Sequence, residues 1–302
     1  MDCGCLSHRC RPAGPRSPAE RLYRGSRYLV TWRVRRVQAA PVEILNPVGT
    51  IGTAVSESSA WTRGLRAARR LGYRAYFRAT AYNYERRLLA RPNRTPAGVV
   101  WTYDLLNRHG RDGMLAALAD HVGFGDVCYD VGANVGIYAV ALATRGPRVV
   151  AFEPSPPAVE RLRATVARNR LAGRVAVHAC GLGDETATRP FFVSTYPELS
   201  GFDRESATRW GGTVHRRTTA PVRQLDELAT PPPDLLKLDV EGAGPAVLRG
   251  GRETLATHRP TLFVETHETG LPGDPAGEMR VLLDDLGYTV DDRDGFWVCH
   301  GR

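Results

Sequence analysis

The chain has 302 residues, 42% apolar and 24% charged, which is enough for a sizeable core in one large domain or two. No stretch approaches about 18 uninterrupted apolar residues and no apolar signal segment opens the chain, so no transmembrane helix is expected and a cytoplasmic location is. The net charge of +9 is uneven: residues 1–100 carry 19 Arg against 5 acidic residues, and residues 101–302 carry 22 basic against 27 acidic.

Residues 1–20 set Pro12, Pro15 and Pro18 among glycine and arginine and are expected to form a flexible tail. Cys3, Cys5, His8 and Cys10 lie in it, but their spacing is too compressed for paired zinc knuckles, and no metal site is predicted. Cys128, Cys180 and Cys299 sit in strand-like contexts and read as small core residues. Tyr28 to Val37 alternates Val30, Trp32 and Val34 with Thr31, Arg33 and Arg35, a strand period. From Ser59 to Leu89 the chain reads as a helix. Trp61, Leu65, Ala68, Gly72, Ala75, Ala79 and Tyr82 form the stripe expected to pack on the rest of the protein, with Arg63, Arg66, Arg70 and Arg74 on another face. Peripheral membrane contact through residues 59–89 is the alternative to that packing. Pro92 and Pro96 break the helix, dividing a basic, mainly helical extension (21–96) from the domain at 97–302. Nucleic acid is not expected as a partner.

Beyond residue 97 the pattern becomes regular. A helix is predicted at about 102–120, then strand 127–131, helix 136–145, strand 148–152, helix 156–170 and strand 174–180. An irregular insert follows, with strand-like segments at 189–194 and 218–223. Strand 234–239, helix 245–257, strand 261–266, helix 276–286 and a hairpin from 288–291 and 296–300 complete the chain. Alternating strands and helices demand a mostly parallel, twisted sheet with helices on both faces, closed here by an antiparallel hairpin. In such a sheet ligands collect beyond the carboxyl ends of the strands.

Those strand ends are polar. Asp130-Val-Gly132-Ala-Asn134-Val-Gly136 follows the first strand as a tight glycine turn into a helix. Glu153 closes the second strand 23 residues after Asp130, at about the offset expected for a carboxylate that accepts ribose hydroxyls. The order Asp-x-Gly-x-Asn-x-Gly differs from the G-x-G-x-x-G of dinucleotide binders and resembles motif I of the S-adenosylmethionine (SAM) methyltransferases. That resemblance implies SAM as cofactor and a Rossmann-like methyltransferase fold. Asp184, after the third strand, is a candidate for the adenine amino group, with a turn-initiating role as the alternative. Asp239 and Glu241 follow the fourth strand, and would point the same way on an extended chain. Glu241 could equally belong to the turn before Gly244-Pro245. His267, at the tip of the fifth strand, is a candidate general base for an alcohol acceptor.

Asp226-Glu-Leu, Asp234-Leu-Leu-Lys237-Leu-Asp239-Val-Glu241-Gly242, Val247-Leu-Arg-Gly250 and Leu262-Phe-Val-Glu265-Thr-His267-Glu268 resemble the FkbM family of SAM-dependent methyltransferases over about residues 100–270. The resemblance implies O-methylation of a hydroxyl on a sugar, polyketide or other small natural product. Gly244 departs from it, since such sequences often carry a second glutamate there. Two other readings compete: an NAD-dependent oxidoreductase, and a membrane- or partner-binding protein with a vestigial cofactor fold.

Overall fold

A computed structural model describes residues 60–266 and 273–302. The expected tail, the strand at 28–37, the cysteine-rich segment, His267 and Glu268 lie outside the described residues. Residues 44–302 form one compact unit.

In chain order the elements are helix α1 (Ala60–Arg86), strands β1 (Arg91–Thr95) and β2 (Gly98–Thr102), α2 (Gly113–His121), β3 (Val127–Val131), α3 (Ile137–Ala143), β4 (Arg148–Phe152), α4 (Pro156–Arg168) and β5 (Val175–His178). The insert supplies β6 (Gly181–Leu182), β7 (Ala187–Ser194), a short α5 (Arg204–Ala207) and β8 (Val214–Arg223). Then come β9 (Leu235–Leu238), α6 (Gly244–Gly250), α7 (Arg252–His258), β10 (Thr261–Glu265), α8 (Pro275–Asp285), β11 (Tyr288–Arg293) and β12 (Phe296–Gly301).

Seven strands form the central sheet in the order β11-β12-β10-β9-β3-β4-β5. The five from β5 to β10 are parallel, and β12 runs antiparallel to both β10 and β11. Successive residues of β3, β4, β9 and β10 enter opposite cores, as the two-residue period requires. Cys128, Val149, Leu235 and Phe263 face the layer of α2, α3 and α4. Tyr129, Val150, Leu236 and Val264 face α6, α7 and α8. All seven residues of α3 are buried, between the sheet and its neighbours, which explains its unbroken apolar sequence.

Three expectations are corrected. The helix predicted at about 102–120 starts only at Gly113, where the Asp112 carboxylate caps it through the Leu115 amide at 2.9 Å. Before it, β1 and β2 pair as an antiparallel hairpin around Pro96-Ala97, so the division at residue 96 falls inside a turn. The helix predicted at 245–257 is two helices broken at Gly250-Gly251. A Cβ on Gly250 would lie 1.9 Å from the Gly183 carbonyl oxygen, where the insert's first strand passes. The packed face of α1 also differs from the predicted stripe. Ala68, Gly72, Ala75, Ala79 and Tyr82 are exposed, while Phe77, Thr80, Asn83 and Tyr84 are buried. Aromatic side chains hide far more apolar area than alanines, and their spacing decides the face. Among the described residues, no helix is long and apolar enough to cross a membrane.

Candidate functional site

The turn after β3 needs its glycines. Gly132 has φ +81°, and a Cβ there would meet the Asp239 carbonyl oxygen at 1.8 Å, so only hydrogen lets the chain leaving β9 pass beside it. Gly136 has φ +86°, and a Cβ would lie 2.3 Å from Leu162 Cδ1 of α4. Asn134 takes φ +47°, a region asparagine tolerates. The turn's amides serve the protein. Gly132 and Ala133 donate to the Phe152 carbonyl at 3.0 and 3.1 Å, and Gly136 donates to Ala133. That suits a ligand with no phosphate to receive them.

Glu153 is drawn into the same construction. Its Oε2 accepts from the Asn134 amide and its Oε1 from the Ser155 amide, both at 2.8 Å. Burial pushes its carboxyl up to about 7, against the lowering effect of the two amides and Lys237. The turn and the carboxylate of the next strand therefore meet directly.

Lys237 was not given a role in the sequence. In the parallel register it stands beside Asp130, and the two side chains share the α3 face of the sheet. Its Nζ donates to Asp130 Oδ1 at 2.9 Å and to the Gly132 carbonyl at 3.1 Å, lies 3.3 Å from Asp239 Oδ2, and sits 4.8 Å from the centre of the Tyr138 ring. Both Lys237 and Asp130 are buried. Burial alone favours the neutral amine, but Asp130 and Asp239 outweigh it and raise the group above the ordinary lysine value. Asp130, Asp239 and the glycine turn are thus tied to one ammonium.

An open cleft of about 530 Å³ of empty space adjoins this knot. Gly132, Asn134, Tyr138, Lys237 and Asp239 line one wall, and the segment from Asp104 to His109, ahead of α2, forms another. That segment is held from α1. Asn83 Nδ2 donates to the Tyr103 carbonyl at 2.6 Å, Tyr84 Oη donates to Asp104 Oδ2 at 3.1 Å, and Arg108 lies over the Phe77 ring. Arg108 also pairs with Glu198 of the insert. His109 Nδ1 stands 2.9 Å from Asp112 Oδ2, and Asp112 Oδ1 accepts from Tyr138 Oη at 2.6 Å. His109 was missed because the segment was read as helix. The available signal was His-x-x-Asp directly before an apolar run.

The other candidates separate. Glu241 pairs with the buried Arg209 of the insert, whose guanidinium lies 4.7 Å from the centre of the Trp210 ring. Asp239 pairs instead with Lys237, because the chain turns after β9 rather than running on extended. Asp184 is not among the cleft-lining residues. It accepts from Arg249 Nε at 2.9 Å on the surface, and Arg249 also pairs with Glu278. The departure at Gly244 has a packing counterpart: a Cβ there would lie 2.2 Å from Met279 Sδ. Among the described residues, no cluster of His, Cys, Asp or Glu could hold a metal ion.

The family described as "Methyltransferase FkbM domain" matches residues 130–290, more than half of the chain. The chain belongs to that family. It is 31% identical over 198 residues to the 31-O-demethyl-FK506 methyltransferase FkbM of Streptomyces tacrolimicus, covering 55% of this chain and 74% of that one. It is 28% identical over 158 residues to the hexuronic acid methyltransferase AglP of Haloferax volcanii, covering 52% of this chain and 63% of that one. A solved structure of methyltransferase FkbM from Methylobacillus flagellatus shares 20% identity, with a TM-score of 0.44, over 60% of this chain and 44% of that one. This chain spans less than half the length of that solved relative.

The protein is a methyltransferase with a Rossmann-like fold, and its methyl donor is SAM. The oxidoreductase and vestigial-fold readings fall with that assignment. The residues present fit the donor: a glycine turn that excludes any Cβ at Gly132, a cleft beside that turn, and the Glu153 carboxylate bound to the turn from behind, itself not among the cleft-lining residues. SAM supplies a methyl group already activated on a sulfonium, so the chain's task is binding, orientation and management of one proton.

Proposed function

We propose that this methyltransferase acts on a hydroxyl oxygen of a sugar, polyketide or other small natural product. The observation that carries the reading is the cleft itself. It joins the glycine turn and the Asp130–Lys237–Asp239 knot to a wall built outside the family match, so a donor at the turn would face residues of a separate segment. The names of the two relatives, a methyltransferase of 31-O-demethyl-FK506 and one of a hexuronic acid, support a small oxygen-bearing acceptor.

In this reading Gly132, Asn134 and Gly136 shape the donor seat, and Glu153 accepts from the ribose hydroxyls. Asp130 and Asp239 supply negative charge that suits a cationic donor. Glu241 holds the insert through Arg209, and Asp184 stays with Arg249 on the surface. The test is mass spectrometry of small-molecule extracts incubated with the protein and deuteromethyl SAM, followed by NMR of the labelled product. A deuteromethyl ether is expected. Label found in a methyl ester, on carbon or on nitrogen would overturn the assignment to a hydroxyl.

A further inference from the structure

We infer that His109, held by Asp112, is the general base that accepts the proton of the acceptor hydroxyl. The inference rests on the proposed O-methyl transfer and adds the group that makes the oxygen nucleophilic. The geometry is that of an oriented imidazole. Asp112 Oδ2 stands 2.9 Å from Nδ1, a contact that favours the tautomer with its proton on Nδ1 and its lone pair on Nε2. No described residue partners Nε2, and His109 lines the cleft together with Gly132, Asn134 and Asp239. The Tyr138 ring stands edge-on to the imidazole at 6.0 Å, and Tyr138 Oη fixes the other oxygen of Asp112 at 2.6 Å. Asp112 is fixed a third time by the Leu115 amide. Burial pushes the Asp112 carboxyl up, but the bonds from His109, Tyr138 and Leu115 outweigh it and hold it below its ordinary value. It therefore stays ionised and can stabilise an imidazolium.

The step balances. The acceptor oxygen forms a bond to the methyl carbon while its O–H bond breaks and Nε2 takes the proton. The carbon–sulfur bond breaks with its electron pair staying on sulfur, giving neutral S-adenosylhomocysteine, and the imidazolium later returns the proton to solvent. The groups facing His109 are Asp104 and Arg108 from its own segment, Asp112, Tyr138 of α3, and Lys237 with Asp239 at the end of β9. Asp239, tied to Lys237, is the weaker candidate for this proton because its lone pairs are already shared with an ammonium.

The first test needs no acceptor. The full-length protein is treated with diethyl pyrocarbonate, with and without S-adenosylhomocysteine, and modified histidines are mapped by peptide mass spectrometry. His109 is expected to be acylated in both cases, since a base for the acceptor must stay accessible when the donor seat is filled. Protection by S-adenosylhomocysteine would place the donor against Nε2 and overturn the role, as would a His109 that resists the reagent. The second test uses His109→Gln with SAM titrated by calorimetry and the deuteromethyl assay. Donor affinity should stay within about threefold of wild type while product formation falls at least about 100-fold. Donor binding weakened more than about tenfold, or product formed at the wild-type rate, overturns the inference. Label on carbon or nitrogen would sink the proposed O-transfer separately, whatever His109 does.

Discussion

Lys237 is the only lysine in a chain whose other 40 basic residues are arginine, and it is buried with two hydrogen bonds to oxygens and a carboxylate oxygen at 3.3 Å. A compact ammonium fits between two strands where a planar guanidinium would not. Replacing it by Met leaves Asp130 buried without a counter-charge, and one oxygen of Asp130 already lacks a hydrogen-bond partner. Lys237→Met is expected to cost about 3–5 kcal/mol of stability in denaturant unfolding. Adding Asp130→Asn should recover part of it, and an undiminished loss in the double variant would show that the pair is not the cause. Glu153 gives a prediction with a sign. Its carboxyl titrates near 4.5 when unfolded and near 7 when folded, so the folded state holds more protons between those values. Its contribution to stability is therefore present at low pH and falls as pH rises from about 4.5 to about 7. SAM affinity should move oppositely, rising as pH passes upward through about 7, because the ionised carboxylate is the better acceptor for ribose hydroxyls. Calorimetry from pH 6 to 8 on wild type and Glu153→Gln checks both the slope and its loss. The glycine turn at Gly132, Asn134 and Gly136 and its closeness to Glu153 were legible because they follow from local order along the chain. The partners of Lys237, Asp184 and Glu241 were not, since strand register, Arg249 and Arg209 are supplied from far away in sequence.

Helices and strands with a clear period were read within a few residues; those broken by tertiary contact were not. The strand expected at 174–180 stops at His178, and Gly181–Leu182 leaves to join β7 and β8 in a second sheet. Nothing in the local pattern announces that exchange. The break between α6 and α7 tests the same idea. Gly250→Ala places a methyl against the backbone of Gly183, which has no flexible atoms to yield, and should cost at least about 1–3 kcal/mol. A variant as stable as wild type would show that the two segments can separate freely. Asn83 plays the corresponding part in α1. Its side chain donates to the Leu89 and Tyr103 carbonyls and accepts from the Leu89 amide, so one amide ties the helix end to the cleft segment. Asn83→Ala is expected to cost about 1–3 kcal/mol and to raise amide exchange at residues 103–109. Unchanged exchange there would sever α1 from the cleft.

The compact unit reaches well upstream of the family match, which begins at residue 130. Val100, Met114, Leu115 and Leu118 are buried in the same core as α3, and α1 reaches α4 through Tyr84 and Ala164. A chain started at residue 97 would cut the β1–β2 hairpin at its turn and remove α1. It is expected to bind S-adenosylhomocysteine at least about tenfold more weakly than the full chain by calorimetry. Equal affinity would make the upstream elements dispensable for the donor. The two walls of the cleft thus come from different stretches of polypeptide, one carrying the signature residues and one lying before them. Sorting this chain by its signature reads one bank of the cleft, and the other lies in a stretch that such sorting passes over.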